Sequence, residues 1–287
     1  MSKIAVVHND GETVSGENFE ISRLLFWVTA VESGVLFVAG LGLLLFPSLL
    51  SLAWPWDLTP FTALLLGAIY TASLVATAMT AYVHRWAPAR IVVPMIFLFT
   101  AVVLVVSVIY LDRFDGSYST WLWFFLYLVI PLNALYHIWL YRGRKPFVRI
   151  PIPNHLRWVL LVPTILLGIY GLGLLISPES LSGFWPWPID DFHGRMYSVL
   201  YMTPALGALL LYKAAAPIET FTMGLTQGIG GLVPMVGLAI VDRDLNKVDW
   251  TQAGTWVWIG SFGILFLTGV GLVLTSRSQV PPKPLFD

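Results

Sequence analysis

Eight stretches of about 20 mostly apolar residues, each long enough to cross a bilayer as a helix, occupy roughly 24–46, 61–83, 91–111, 119–141, 156–176, 194–213, 218–241 and 254–275. In hydrocarbon every backbone N–H and C=O needs a partner inside the protein, which leaves helices or a closed barrel. Runs of this length without strict alternation select helices. Only 11% of the 287 residues are charged, against about a quarter in soluble domains. The expected fold is an all-α, polytopic membrane bundle of eight transmembrane helices. Pro94, Pro131, Pro163, Pro204 and Pro234 fall inside the spans, where neighbouring helices can satisfy the freed carbonyls.

Residues 1–23 are polar and mixed in charge, unlike the basic-then-apolar start of a secretory signal, and read as a cytoplasmic tail. Basic residues gather on the cytoplasmic side of membrane helices. With the N-terminus inside, twelve of the sixteen Lys and Arg fall inside and four outside. An even helix count then puts both termini on the cytoplasmic face of a cytoplasmic-type membrane.

The chain also repeats itself. A shift of 131 residues lays 40–70 on 171–201 without a gap, with 13 of 31 positions identical. Trp54-Pro55-Trp56 returns as Trp185-Pro186-Trp187, Phe61 as Phe192 and Tyr70 as Tyr201. Further on, Thr120-Trp121-Leu122-Trp123 matches Thr255-Trp256-Val257-Trp258. Each copy holds four helices, an even number, so both enter the membrane in the same sense as two tandem parallel repeats. The organisation expected is a tail at 1–23, a first four-helix unit at 24–141 and a basic linker at 142–155. A second unit follows at 156–275, then a tail at 276–287.

Several classes are disfavoured. Sixteen basic and sixteen acidic residues cancel and leave no nucleic-acid footprint. The absence of cysteine excludes thiolate metal and Fe–S sites. The sequence contains no GxGxxG, Walker A, GxSxG or HExxH motif. No histidine pair has metal-ligand spacing, and no cofactor is indicated. His84 and His155 fall at cytoplasmic helix ends and His193 near an outer one, where a lone histidine is usually solvated. His137 is the one histidine placed to serve as an axial haem or chlorophyll ligand. The partners expected are the lipid bilayer and other membrane subunits.

Four features bear on function. Trp54, Trp56, Trp185 and Trp187 fall in outer loops at the depth where tryptophan straddles the membrane boundary, as a structural corner or a paired platform for a partner. Asp112-Arg113 and Asp242-Arg243 occupy equivalent outer loops and could form ion pairs across the repeat. Glu32 lies about 13 Å into the first helix at 1.5 Å per residue, where an isolated carboxylate is costly. Asn133, His137 and Gln227 fall at a similar depth, so a polar layer for a ligand or proton is expected at Glu32, Asn133, His137 and Gln227. Finally, Gly224, Gly228 and Gly231 form a small-residue face that lets helices approach closely. The apolar scaffold favours a structural or accessory subunit of a membrane complex over an enzyme. The alternative is a small-molecule or proton-coupled transporter with its site between the repeats.

Overall fold

A computed structural model describes residues 6–7, 13–14, 18–146 and 149–278. The tails expected at 1–23 and 276–287, with Lys3 and Lys283, therefore fall largely outside the described residues, as does the side chain of His155. Ten α-helices lie among the described residues: α1 (Arg23–Leu45), α2 (Pro47–Ser51), α3 (Pro60–Val83), α4 (Trp86–Ile109), α5 (Tyr118–Leu140), α6 (Asn154–Ile176), α7 (Pro178–Leu181), α8 (Asp191–Leu211), α9 (Pro217–Leu245) and α10 (Ala253–Ser278). Seven of them, α1, α3, α4, α5, α6, α9 and α10, are long and apolar enough to cross a membrane. The chain is an all-helical, multi-pass membrane protein. The remaining long helix, α8, has 21 residues but opens with Asp191, His193 and Arg195 and lacks the apolar run of the others.

Local chemistry sets the helix ends. Ser22 caps α1 by accepting from the Leu25 N–H at 3.0 Å. Thr59 caps α3 in the same way with Pro60 at the first position, where its missing N–H is harmless. Asp190 caps α8 by accepting from the His193 N–H at 2.9 Å. At the other ends His84 and Asn246 take left-handed backbone conformations, with φ of 53° and 51°. The basic linker is not plain coil: β3 (Ile150–Pro151) pairs antiparallel with β4 (Ala214–Ala215), tying it to the segment after α8. A second two-stranded pair, β1 (Val6–Val7) and β2 (Thr13–Val14), precedes α1.

Packing is pairwise. α1 lies on α3 and α6 on α8, while α5 lies on α4 and α10 on α9. The halves meet where α3 packs on α9 and α4 on α8. In both helix pairs a glycine permits close approach: a Cβ on Gly40 would come 2.9 Å from the Thr71 nitrogen, and one on Gly171 would come 3.0 Å from the Met202 nitrogen. The outward faces of α1, α5 and α6 are bare and apolar, with Trp27, Phe37, Trp121, Phe125, Trp158 and Ile169 exposed, as hydrocarbon contact requires.

The tryptophans of the two Trp-Pro-Trp corners correct the expected platform. Trp56, Trp185 and Trp187 are buried, and Trp54 is partly so. Trp56 meets Phe192 edge-on at 5.3 Å, and Phe61 stacks on Trp187 at 5.0 Å. Each corner thus inserts its second ring against a phenylalanine of the other half. The rings pack into an aromatic core, although the Trp56 and Trp187 indole N–H groups have no partner among the described residues.

The Asp-Arg pairs do not meet across the repeat either. Arg113 reaches Asp190 at 3.3 Å. Asp242 turns inward, accepting from the Lys247 and Val248 N–H groups at 2.7 and 2.8 Å and from Trp250 Nε1 at 2.7 Å. It fixes the turn between α9 and α10. Asp242→Ala is expected to lower stability by about 1–3 kcal/mol, because donors are left unpaired. An unfolding midpoint in mixed micelles equal to that of the parent would refute this role.

Candidate functional site

The bundle contains a partly open cavity of about 360 Å³. It lies among α1, α3, α4 and α5 and reaches α8 and α9. Its walls are chiefly apolar, and no lysine, arginine or histidine lines it. Glu32 is its one carboxylate. Among the described residues, Glu32 has no hydrogen bond and no ion pair. It is held at its depth by its neighbour: Ser33 Oγ donates to the Thr29 carbonyl at 2.8 Å and lies 2.9 Å from Thr77 Oγ1, stitching α1 to α3.

Toward the Trp-Pro-Trp end the walls become aromatic. The Trp54 ring lies 5.9 Å from both Tyr70 and Trp123, and Trp123 lies 4.3 Å from Tyr127. The Tyr70 and Tyr127 hydroxyls share a hydrogen bond at 3.1 Å, and Trp123 Nε1 donates to Ser107 Oγ at 3.0 Å. Three of the lining residues also carry a polar atom that is itself buried away from the open space and has no partner among the described residues: Trp54 Nε1, Gln227 Oε1 and Thr203 Oγ1.

Ala39 lines the cavity, and the residue 131 positions later is Tyr170. The Tyr170 hydroxyl accepts from Trp185 Nε1 at 2.9 Å and donates to the Leu181 carbonyl at 3.1 Å. Trp185 is the counterpart of Trp54. The indole N–H satisfied by a tyrosine in one half is unpaired in the other.

The expected polar layer divides. Glu32 and Gln227 line the one cavity, and Asn133 and His137 do not. His137 Nδ1 bonds the Asn133 carbonyl at 2.8 Å and Nε2 bonds Ser22 Oγ at 2.7 Å. A carbonyl only accepts, so Nδ1 carries the proton, and in the neutral ring Nε2 accepts from the serine that caps α1. Tyr141 joins the same tie, its hydroxyl accepting from the Ser22 N–H at 2.8 Å. With both ring nitrogens engaged, His137 is a strut between α5 and α1 and offers no axial position to a haem. The Asn133 side-chain oxygen has no partner among the described residues.

Two of the other histidines also serve the framework. His84 stacks on Phe26 at 4.6 Å, and His193 Nδ1 lies 2.7 Å from Asp190. Burial alone would raise the Asp190 pKa, but hydrogen bonds from His193 and the nearby Arg113 charge hold it below the ordinary carboxylate value.

The sequence reading missed the strongest electrostatic contact. Glu219, whose side chain is fully buried, grips Arg90 through two bonds, Nε to Oε1 at 2.6 Å and Nη2 to Oε2 at 2.8 Å. It also accepts the Ala216 N–H at 2.8 Å, closing the first turn of α9. The available signal was Glu219 three residues after Ala216, at the position from which a carboxylate folds back on a helix start.

This architecture and this cavity belong to the class of α-helical integral membrane proteins. Comparison with protein-family models, with curated proteins and with solved structures finds no match.

Proposed function

We propose that this integral membrane protein binds a small lipophilic molecule in the cavity beside Glu32, within a bundle of eight spanning helices arranged as two tandem four-helix units. The observation that carries the binding role is a carboxylate without a partner on the wall of a cavity of about 360 Å³ that contains no basic side chain. Cavities of a few hundred Å³ with apolar walls and a few convergent polar groups are typical small-molecule sites. In favour of the duplication are the recurring sequence and the reciprocal Trp56–Phe192 and Phe61–Trp187 contacts. The matched pairing of α1 with α3 and of α6 with α8 points the same way. The second copy supplies α8 as the eighth span, shielded by its neighbours and so free to be less apolar. Both termini are assigned to the cytoplasmic side of a cytoplasmic membrane on the distribution of Lys and Arg.

An accessory role in a larger complex rests on the bare outer faces alone, which lipid covers equally well. A carrier function would use the same cavity, and Glu32→Gln should then abolish coupling while leaving the fold nearly intact.

The direct test is to purify the protein from its native membrane in mild detergent and analyse the organic extract by mass spectrometry, beside Ala39→Tyr. That substitution copies the second half, with a hydroxyl placed to accept from Trp54 Nε1. The parent should yield one lipophilic compound that falls at least tenfold in Ala39→Tyr while the protein stays monodisperse. Indistinguishable extracts would end the binding proposal.

A further inference from the structure

Resting on that reading of the cavity, we infer that its ligand is a lipophilic amine: an ammonium group held at Glu32 and an apolar body along the aromatic wall. The ligand enters sideways from the bilayer between α1 and α5.

The charge of the ligand follows from what the cavity lacks. A carboxylate in a low-dielectric site must be protonated, hydrated or paired with a cation, and no side chain on these walls supplies one. A metal ion is a poor candidate, because hard cations ask for several oxygen ligands and no cluster of three or more His, Asp or Glu occurs among the described residues. A proton alone needs no cavity of this volume. A protonated amine suits both the charge and the space. A phospholipid headgroup fits less well, since its phosphate would arrive with the ammonium and find no basic partner.

The body of the ligand follows from the walls. From Glu32 toward Trp54 the lining runs through Leu36, Ala39, Tyr70, Tyr127 and Trp123, surfaces that favour an apolar or aromatic chain and attract a cation to their faces.

The route follows from exposure. Val31 and Val35 on α1, with Leu122, Phe125 and Val129 on α5, line the cavity and are also exposed on the outer face. The helices α1 and α5 touch only sparsely. A slot bounded by aliphatic and aromatic side chains admits molecules already dissolved in hydrocarbon.

The test uses the full chain in phosphatidylcholine nanodiscs, with equilibrium dialysis of labelled phenoxyhexylamine and its neutral counterpart phenoxyhexanol. Loss of one charge-assisted bond corresponds to about tenfold in affinity, so the amine should bind at least about tenfold tighter than the alcohol. Glu32→Gln should bring the two affinities together mainly by weakening the amine. Ala39→Tyr should remove both. Equal affinities in the parent, or a preference that survives Glu32→Gln, would overturn the ammonium assignment while leaving the cavity as a ligand site. Binding of neither compound, by a protein whose native extract still responds to Ala39→Tyr, would overturn the proposed chemistry alone. Failure of the extract experiment as well would remove the site.

Discussion

Replacing Arg90 with methionine will destabilise the bundle by about 3–5 kcal/mol, the usual loss when one partner of a buried ion pair is removed. The Glu219 side chain has no solvent exposure, and its two oxygens are satisfied by Arg90 and the Ala216 N–H. Without the guanidinium, an unbalanced carboxylate stays between α4 and α9. Arg90→Met combined with Glu219→Leu should recover much of the loss, because well-packed apolar replacements of buried pairs are often neutral. The recovery will be incomplete, since the Ala216 N–H loses its acceptor. Reversible unfolding of the single and double variants in mixed micelles gives the coupling energy. A single variant within about 1 kcal/mol of the parent would mean the pair is effectively solvated.

Gly269→Val will force α10 away from α9. A Cβ on Gly269 would come 2.4 Å from the Gly228 nitrogen and 2.6 Å from the Gly224 carbonyl oxygen. A Cβ on Gly231 would come 2.4 Å from the Phe266 nitrogen. These are backbone atoms, which cannot rotate aside as a side chain does. Overpacking of this kind costs about 1–3 kcal/mol, sometimes more, and here the helix backbones must separate to relieve it. Gly228→Ala is the control: its Cβ would meet nothing within 4 Å, and alanine favours the helix by up to about 1 kcal/mol. A thermal-stability comparison in detergent should therefore rank Gly269→Val well below the parent and Gly228→Ala at or above it. The reverse order would refute the close approach.

What could be read from the sequence follows the physics of each signal. Hydropathy reports burial in an apolar medium, so seven spans stand out by length and composition. It does not single out α8, which opens with Asp191, His193 and Arg195. Depth was legible because rise per residue is fixed, and Glu32 and Gln227 were both found by depth and do line one cavity. Depth leaves out direction around the helix axis. On that account Asn133 and His137 were grouped by depth with Glu32 and Gln227 although only the latter two line the cavity, and the sequence left open whether the Trp-Pro-Trp segments form a structural corner or a platform. The pairing of Arg90 with Glu219 joins residues 129 positions apart, and a count of basic residues near helix ends records each charge without its partner. The aromatic wall was half visible, since Trp54, Tyr70 and Trp123 all recur in the second copy. Recurrence marked them without saying that Trp54, Tyr70 and Trp123 line a cavity.

The difference between the Trp185 and Trp54 indoles turns on a single side chain. Tyr170 behaves as a tethered partner: it is delivered by its own backbone, forfeits no translational freedom on seating itself and never dissociates. The Trp185 indole is thus satisfied from within the chain, with no outside partner needed.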